Sequence, residues 1–462
     1  MAAKRPKRTA DPARLAAVKV LNQVMEENAF SNESAAWHLA APGLDARDRA
    51  FASALIFGTL SRLPLIDDLL SQVSSRPLEG LDPWVRTILR AGVWQLYFSY
   101  QVTVAAACDE SVRLARFLAG EKVTGFVNGI LRRLARSRPE PKEDDRAALE
   151  AGLTPLLYDL LEGWYGREIA LAIGRSSLEA PGHLAIRFNS CKAHAWEEWL
   201  KGGEAESFKA EKLPWPACAY SLQPAGRSVT SSNAYKEGLF TMQSQAAMMA
   251  GILSGAGEGD RILDLCAAPG GKTGHLAELS GCAGTITACD ISPAKVALLD
   301  ETLARLGHGF VNTCVHDASL PSSEFTAAFD RVICDVPCSG LGLLLKRPEI
   351  RSRVTQEVID RLRAVQRSIL ESGSLAVAPG GRLLYSTCTL NPEENEEQIV
   401  GFLGSQSGED FELEDLGEET GAALRGAIKP PLSDRLPAAV LFMPHRDQTD
   451  GFFVARLRRK PV

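Results

Sequence analysis

Residues 261–274 read RILDLCAAPGGKTG, and this stretch decides how the second half of the chain is organised. A short apolar run has the texture of a buried parallel strand, and the adjacent glycines Gly270 and Gly271 let the backbone pass close to a ligand before a helix begins. A P-loop is excluded, because Cys266 stands where GxxxxGK[ST] requires its first glycine; the pattern is not GxGxxG either. Downstream, TITACDI, FVNTCVHD, DRVICDV and GRLLYSTC supply four more short apolar runs. Helical segments separate them, including SPAKVALLDETLARLG, which opens on Ser292 and Pro293 as a helix start. Five strands alternating with helices predict a doubly wound α/β sheet over residues 241–462, closed by VLFMP and GFFVARLRR as an antiparallel hairpin at its edge.

Upstream the texture differs. From Asp11 to Arg138 apolar residues recur at three- and four-residue spacing, as in ARLAAVKVLNQVM and DPWVRTILRAGVWQLYF, which predicts an all-α domain of six or seven helices over residues 1–140. Asp82 before Pro83 reads as an N-cap, and Gly120 as a stop. SRPEPKEDDR, residues 137–146, has little to bury and reads as a linker. Mixed signals up to residue 240 predict a small α+β connector, so the chain is multidomain with divisions at 140 and 240.

The net charge of −6 conceals an asymmetry. Residues 1–140 hold 19 Lys and Arg against 14 Asp and Glu, whereas the rest holds 32 against 43, with many acids between positions 393 and 419. The helical part can therefore hold phosphate while the remainder need not, and Lys4, Arg5, Lys7 and Arg8 are either part of that surface or a solubilising tail. Ten cysteines without a CxxC pair predict neither disulfides nor structural zinc. No apolar run approaches the ~20 residues of a membrane helix, and the start lacks a signal-peptide core, so a cytoplasmic location is expected.

Candidate site residues cluster at strand exits, where ligands bind in such sheets. Asp290 lies twenty residues beyond Gly270 at the end of the second strand, placed to accept from ribose hydroxyls, and Asp317 ends the third. Without a phosphate-binding set, this pattern favours an adenosine that carries no phosphates. DVPCSGLG puts Asp335 and Cys338 at the end of the fourth strand, and STCTLNPEEN puts Cys388 at the end of the fifth. Strands ~4.8 Å apart allow both thiols to face one cavity. Cytosolic cysteines are more often small buried hydrophobes, and Cys108, Cys191, Cys218, Cys282, Cys289, Cys314 and Cys334 are assigned that fate. Spacing does not decide whether Cys338 or Cys388 would be a nucleophile.

DLCAAPGGKT, DVPCSGLG, YSTCTLNPEENE and DGFFVARL together resemble the RNA 5-methylcytosine methyltransferases of the RsmB/Nop/Sun family, over roughly residues 180–460. RAFASALIFGTLSR and FVNGILRRLAR are similar to NusB-type RNA-binding domains. The resemblance implies a Rossmann-like catalytic domain, S-adenosylmethionine as cofactor, small-subunit ribosomal RNA as partner, a monomer, and no metal. It implies Cys388 as nucleophile, Cys338 as the group that helps release product, and Asp335 and Lys272 beside them in the catalytic set. It assigns Cys266, Ala267, Ala268, Pro269, Gly270, Gly271, Lys272, Asp290, Asp317 and Asp335 to the cofactor site. The chemistry needs a thiolate: carbon 5 of cytosine is a poor nucleophile until a covalent bond at carbon 6 pushes electrons onto it. Three departures stand out, namely Val336 within DVPCS, Leu345, Lys346 and Arg347 in place of a pair of arginines and a histidine, and Ser244 where an aspartate is usual. The latter two put substrate positioning in question more than chemistry. Rival readings are a transfer-RNA or large-subunit cytosine methyltransferase and an RNA-binding factor with a relic catalytic fold.

Overall fold

The structure, a computed structural model, describes residues 10–178, 183–224 and 228–461. The chain packs into two compact units, one comprising Met1–Ala180 together with Leu344–Arg353, the other comprising Pro181–Leu343 and Val354–Val462. The basic cluster at Lys4, Arg5, Lys7 and Arg8 lies outside the described residues.

In the first unit the expected helices form as Pro12–Glu26, Ser31–Leu39, Ala46–Ser61, Leu63–Val73, Pro83–Tyr97, Val104–Leu118 and Thr124–Ser137. Side-chain caps set several of their starts: Asp82 accepts from the N–H groups of Trp84 and Val85, and Thr103 from that of Ala106. Their apolar stripes meet in a core that includes Leu21, Ile56, Ile66, Leu89 and Leu131. Three further helices, Arg146–Glu150, Pro155–Tyr165 and Arg167–Ser176, belong to this unit rather than to a connector. The returning segment completes it. Arg351, buried, donates to the carbonyls of Gly152, Leu344 and Ser177, and Arg353 donates to those of Val24 and Ala29. Among the described residues no single helix is long and apolar enough to cross a membrane; Ala46–Ser61 and Leu63–Val73 reach that character only as a pair bent by 77°.

The second unit contains two sheets. The smaller is antiparallel in the order β2-β3-β1-β4, with β1 Leu184–Phe188, β2 Glu211–Lys212, β3 Ala219–Leu222 and β4 Phe240–Met242. Trp196 anchors its core, stacked on Phe188 and Trp199. The larger sheet runs β10-β12-β9-β8-β5-β6-β7, from β5 Arg261–Asp264, β6 Thr285–Asp290, β7 Asn312–Val315, β8 Phe329–Asp335, β9 Val377–Thr387, β10 Phe411–Leu413 and β12 Phe452–Arg459. Strands β5 to β9 pair in parallel, and the order reverses at β5, as a doubly wound sheet requires. The closing hairpin forms between β11 Val440–Phe442 and β12, but β12 is not at an edge: it pairs with β9 on one side and with β10 on the other. The three-residue β10 is too short to announce itself in sequence.

A buried ion pair ties the small sheet to helix Gly271–Leu279, which follows β5 of the large one. Arg187 of β1 donates Nε and Nη2 to the Glu278 carboxylate at 3.0 and 2.7 Å, and its Nη1 reaches the carbonyl of Gly271 at 2.8 Å. Burial opposes the charge on Glu278, but Arg187 and the His308 ring, whose Nε2 lies 3.7 Å from Oε1, more than offset this and hold it down at about 2. The adjacent turn departs from expectation: Cys191 and Cys282 form a disulfide, with Cα atoms 5.9 Å apart. They lie 91 residues apart, so only the docking of the small sheet brings them together.

Glu278→Ala leaves Arg187 buried without its partner and should destabilise the second unit by about 3–5 kcal/mol, whereas replacing both residues with methionine should recover most of that loss. Urea unfolding of the three proteins checks this; equal losses in the single and double variants would contradict it.

Candidate active site

The loop after β5 is shaped by its neighbours. Gly270 adopts φ +102 as the residue before helix Gly271–Leu279, and a Cβ there would sit 3.0 Å from Leu299 Cδ1, so both conformation and space require glycine. The Ala267 N–H donates to the Cys289 carbonyl at 2.9 Å, and the Ala268 N–H to Asp290 Oδ2 at 3.1 Å. Asp290 Oδ1 accepts from the Ile291 N–H and lies 3.1 Å from Lys295 Nζ. Asp290 thus first fixes the loop against the end of β6. Asp317 turns to its own loop, accepting from the N–H and hydroxyl of Ser319, and these bonds hold its pKa below the ordinary carboxylate value. The end of β7 is tied to β6 separately, through the His316 N–H and the Asp290 carbonyl.

At the end of β8, Asp335 Oδ2 accepts from Lys272 Nζ at 2.6 Å and Oδ1 from the Ser386 hydroxyl at 2.8 Å. Burial pulls the Lys272 ammonium toward neutrality, but Asp335 outweighs it, so the lysine is held above its ordinary value. Lys272 Nζ also lies 5.2 Å above the Phe452 ring, a cation–π contact. The Cys266 thiol is pushed well up by burial and by its acidic neighbours, and stays neutral.

The two cysteines meet, with Cys338 Sγ and Cys388 Sγ 3.3 Å apart. Cys338 is held well above the ordinary thiol value, first by its hydrogen bond to Cys388, then by burial. The short turn Leu341–Leu343 after Cys338 is clamped from two sides: the Gly342 N–H donates to the Cys388 carbonyl at 3.0 Å, and its carbonyl accepts from the Gly451 N–H at 2.9 Å. A Cβ on Gly342 would lie 2.0 Å from the Gly451 oxygen, so the close approach of the two backbones excludes any side chain there.

Residues 266–272, Asp290 and Asp335 therefore share the carboxyl-end layer of the sheet with both cysteines. Sequence reasoning did not single out Asp264, Gly342, Gly451 or Glu394. The fully buried Asp264 accepts from the Thr273 hydroxyl at 2.7 Å, and its Oδ1 has no partner among the described residues. Burial pushes its carboxyl up to about 7. Its position just before the glycine loop was the available signal. Of the departures, Ser244 caps helix Gln245–Leu253 by accepting from the Ala247 N–H, a role aspartate fills equally well. Leu345, Lys346 and Arg347 belong to the segment that packs into the helical unit, where Arg347 lies 5.2 Å above the Phe30 ring.

A nucleoside-bearing cofactor fits this loop: a Cβ on Gly271 would meet nothing within 4 Å, leaving open space beside the helix start, and Asp264 offers an unpartnered buried oxygen. Comparison with known proteins agrees. Residues 252–458 match the family described as 16S rRNA methyltransferase RsmB/F, and residues 11–136 match the NusB family. A probable ribosomal RNA small subunit methyltransferase B of Bacillus subtilis (strain 168) is 30% identical over 96% of this chain and 98% of its own length. Ribosomal RNA small subunit methyltransferase B of Pasteurella multocida is 30% identical over 89% of each chain. The crystal structure of PH0851 superposes with TM-score 0.82 at 26% identity, over 98% of this chain and all of that one. The fold and site define an S-adenosylmethionine-dependent methyltransferase with a NusB domain. The chain belongs to the 16S rRNA methyltransferase RsmB/F family.

Two measurements test this site. Asp290→Ala should weaken S-adenosylmethionine binding by about 1.5–3 kcal/mol in calorimetry, through loss of charged hydrogen bonds and of the loop's anchor; unchanged affinity would contradict the pocket. Because Asp264 binds its proton more tightly when folded, the stability present at low pH is lost as pH rises from about 4 through about 7. Asp264→Asn should flatten that part of the stability profile, and an unaltered slope would contradict the assignment.

Proposed function

We propose that the protein methylates carbon 5 of a cytosine in small-subunit ribosomal RNA, with Cys388 as nucleophile and Cys338 as the group that assists product release. The observation that carries this reading is the 3.3 Å approach of the two sulfurs beside the Lys272–Asp335 pair. Cys388, as thiolate, attacks carbon 6; the S–C6 bond forms and the C5–C6 π electrons move onto carbon 5. The nearby Lys272 ammonium offsets the thiolate charge, and Asp335 faces the N3 and N4 edge of the base, where protonation favours the adduct. S-adenosylmethionine, when bound, supplies the electrophilic methyl group. Loss of the carbon 5 proton to water then returns electrons to the ring and expels Cys388 as a thiolate. Cys338, held neutral beside it, is suited to hand its proton to that departing thiolate and is reprotonated from solvent. Two thiols at adjacent strand exits suit an acceptor that needs covalent activation at carbon 6, which favours cytosine carbon 5 over a ribose or exocyclic target. In this proposal one chain suffices, the reaction needs no metal, and it takes place in the cytoplasm. The helical domain, with Arg132 and Arg136 on helix Thr124–Ser137, would engage RNA phosphate.

Cys388→Ser should abolish both methyl transfer and any protein–RNA conjugate, since an alcohol is scarcely ionised near neutral pH. Cys338→Ala should still attack and methylate but stall, giving an S-adenosylmethionine-dependent conjugate on a denaturing gel; the double variant should give none. A conjugate in Cys388→Ala that is lost in Cys338→Ala would reverse the two roles.

A further inference from the structure

One fully buried carboxylate, Glu394, lies between the loops that carry the two cysteines and bonds to both. On the Cys338 side it accepts from the Ser339 N–H at 2.8 Å and from the Ser339 hydroxyl. On the Cys388 side it accepts from Asn391 Nδ2 at 3.2 Å, and its own carbonyl accepts from the Tyr385 hydroxyl at 2.6 Å. Gln366, buried on helix Gln356–Ala376, donates Nε2 to Glu394 Oε2 and to the Pro337 carbonyl, both at 2.9 Å. Ser339 and Thr389 close the ring with a hydroxyl contact of 2.7 Å. Ser339, next to Cys338, and Asn391, three residues after Cys388, thus converge on the Glu394 side chain, while Pro337, Thr389 and Tyr385 join the same network through Gln366, Ser339 and the Glu394 backbone carbonyl.

We propose that Glu394 is a positioning residue that fixes the spacing of Cys338 and Cys388, an assignment that rests on the two-cysteine reading above. The carboxylate receives four donors from three residues and meets no cation within this ring, so its role is to accept, and a carboxamide in its place would turn an N–H pair against donors. Neither thiol is itself bonded to Glu394; the residue acts through the backbone on either side of them. A sulfur displaced by ~1 Å loses in-line attack on a planar base, at a cost of up to about 100-fold in rate.

The test uses full-length protein and reads distance independently of catalysis. Hydrogen peroxide oxidises a close thiol pair to a disulfide, taking two electrons and two protons and being reduced to water; peptide mass spectrometry gives the rate for each pair. Cys289 and Cys314, paired across β6 and β7 with sulfurs 2.9 Å apart, serve as an internal reference. Glu394→Gln should slow the Cys338–Cys388 crosslink by about 10-fold, leave the Cys289–Cys314 rate within about twofold, and lower kcat by roughly 10- to 100-fold with KM for RNA and S-adenosylmethionine nearly unchanged. Ser339→Ala, which keeps the N–H bond, should give a smaller loss at the same pair, and it decides the matter if Glu394→Gln shows no cooperative unfolding. An unchanged Cys338–Cys388 rate, or equal slowing of both pairs, overturns the proposal. If the crosslink slows as expected while Cys338→Ala yields no RNA conjugate, the spacing role stands and the assignment of cysteine roles fails.

Discussion

The parallel register of β8 against β5 and β9 is the constraint on which the site depends. Ile333 stands opposite Asp264 and Leu384, and Asp335 opposite Ser386, so the chain leaves both β8 and β9 at the same height. Cys338 follows three residues after Asp335 and Cys388 two residues after Ser386, and the sulfurs meet. A slip of one residue would turn every side chain of β9 to the opposite face and carry Ser386 away from Asp335. The antiparallel β12 protects this register, because β9 is paired along both sides and cannot slide without breaking two ladders.

Around that register the polar groups differ in burial. Arg187 and Glu278 are wholly buried and carry the start of the helix that follows the glycine loop. Lys272 and Asp335 are partly exposed, which leaves them free to take the roles proposed for them above. A buried charge pair contributes little net stability, but it permits one arrangement of its partners and penalises the others. Its use here is geometric, since it holds the Gly271 carbonyl while the opposite side of the loop stays open.

Much of this was legible in the chain. The alternation of apolar runs and helices gave the central sheet, because buried parallel strands are apolar throughout and their glycine and proline boundaries are sharp. The strand exits, with Asp290, Asp335, Cys338 and Cys388, followed from topology alone. What escaped depends on contacts between distant positions. Gly342 and Gly451 look like ordinary loop glycines until their backbones are seen pressed together, and Cys191 with Cys282 looks like two unrelated thiols until the small sheet docks. The division near residue 180 escaped because helices Pro155–Tyr165 and Arg167–Ser176 are amphipathic without showing what they pack against.

The helical unit is discontinuous in the chain: its last segment, Leu344–Arg353, is encoded after β8, and buried Arg351 satisfies carbonyls far earlier in the sequence. Synthesis proceeds from the N-terminus at about 5–20 residues per second, and domains generally fold as they emerge. This one cannot be completed in that order. The nascent helices wait for a piece that arrives only after four of the five parallel strands of the large sheet have left the ribosome, so completion of the helical unit is timed by the growth of the sheet.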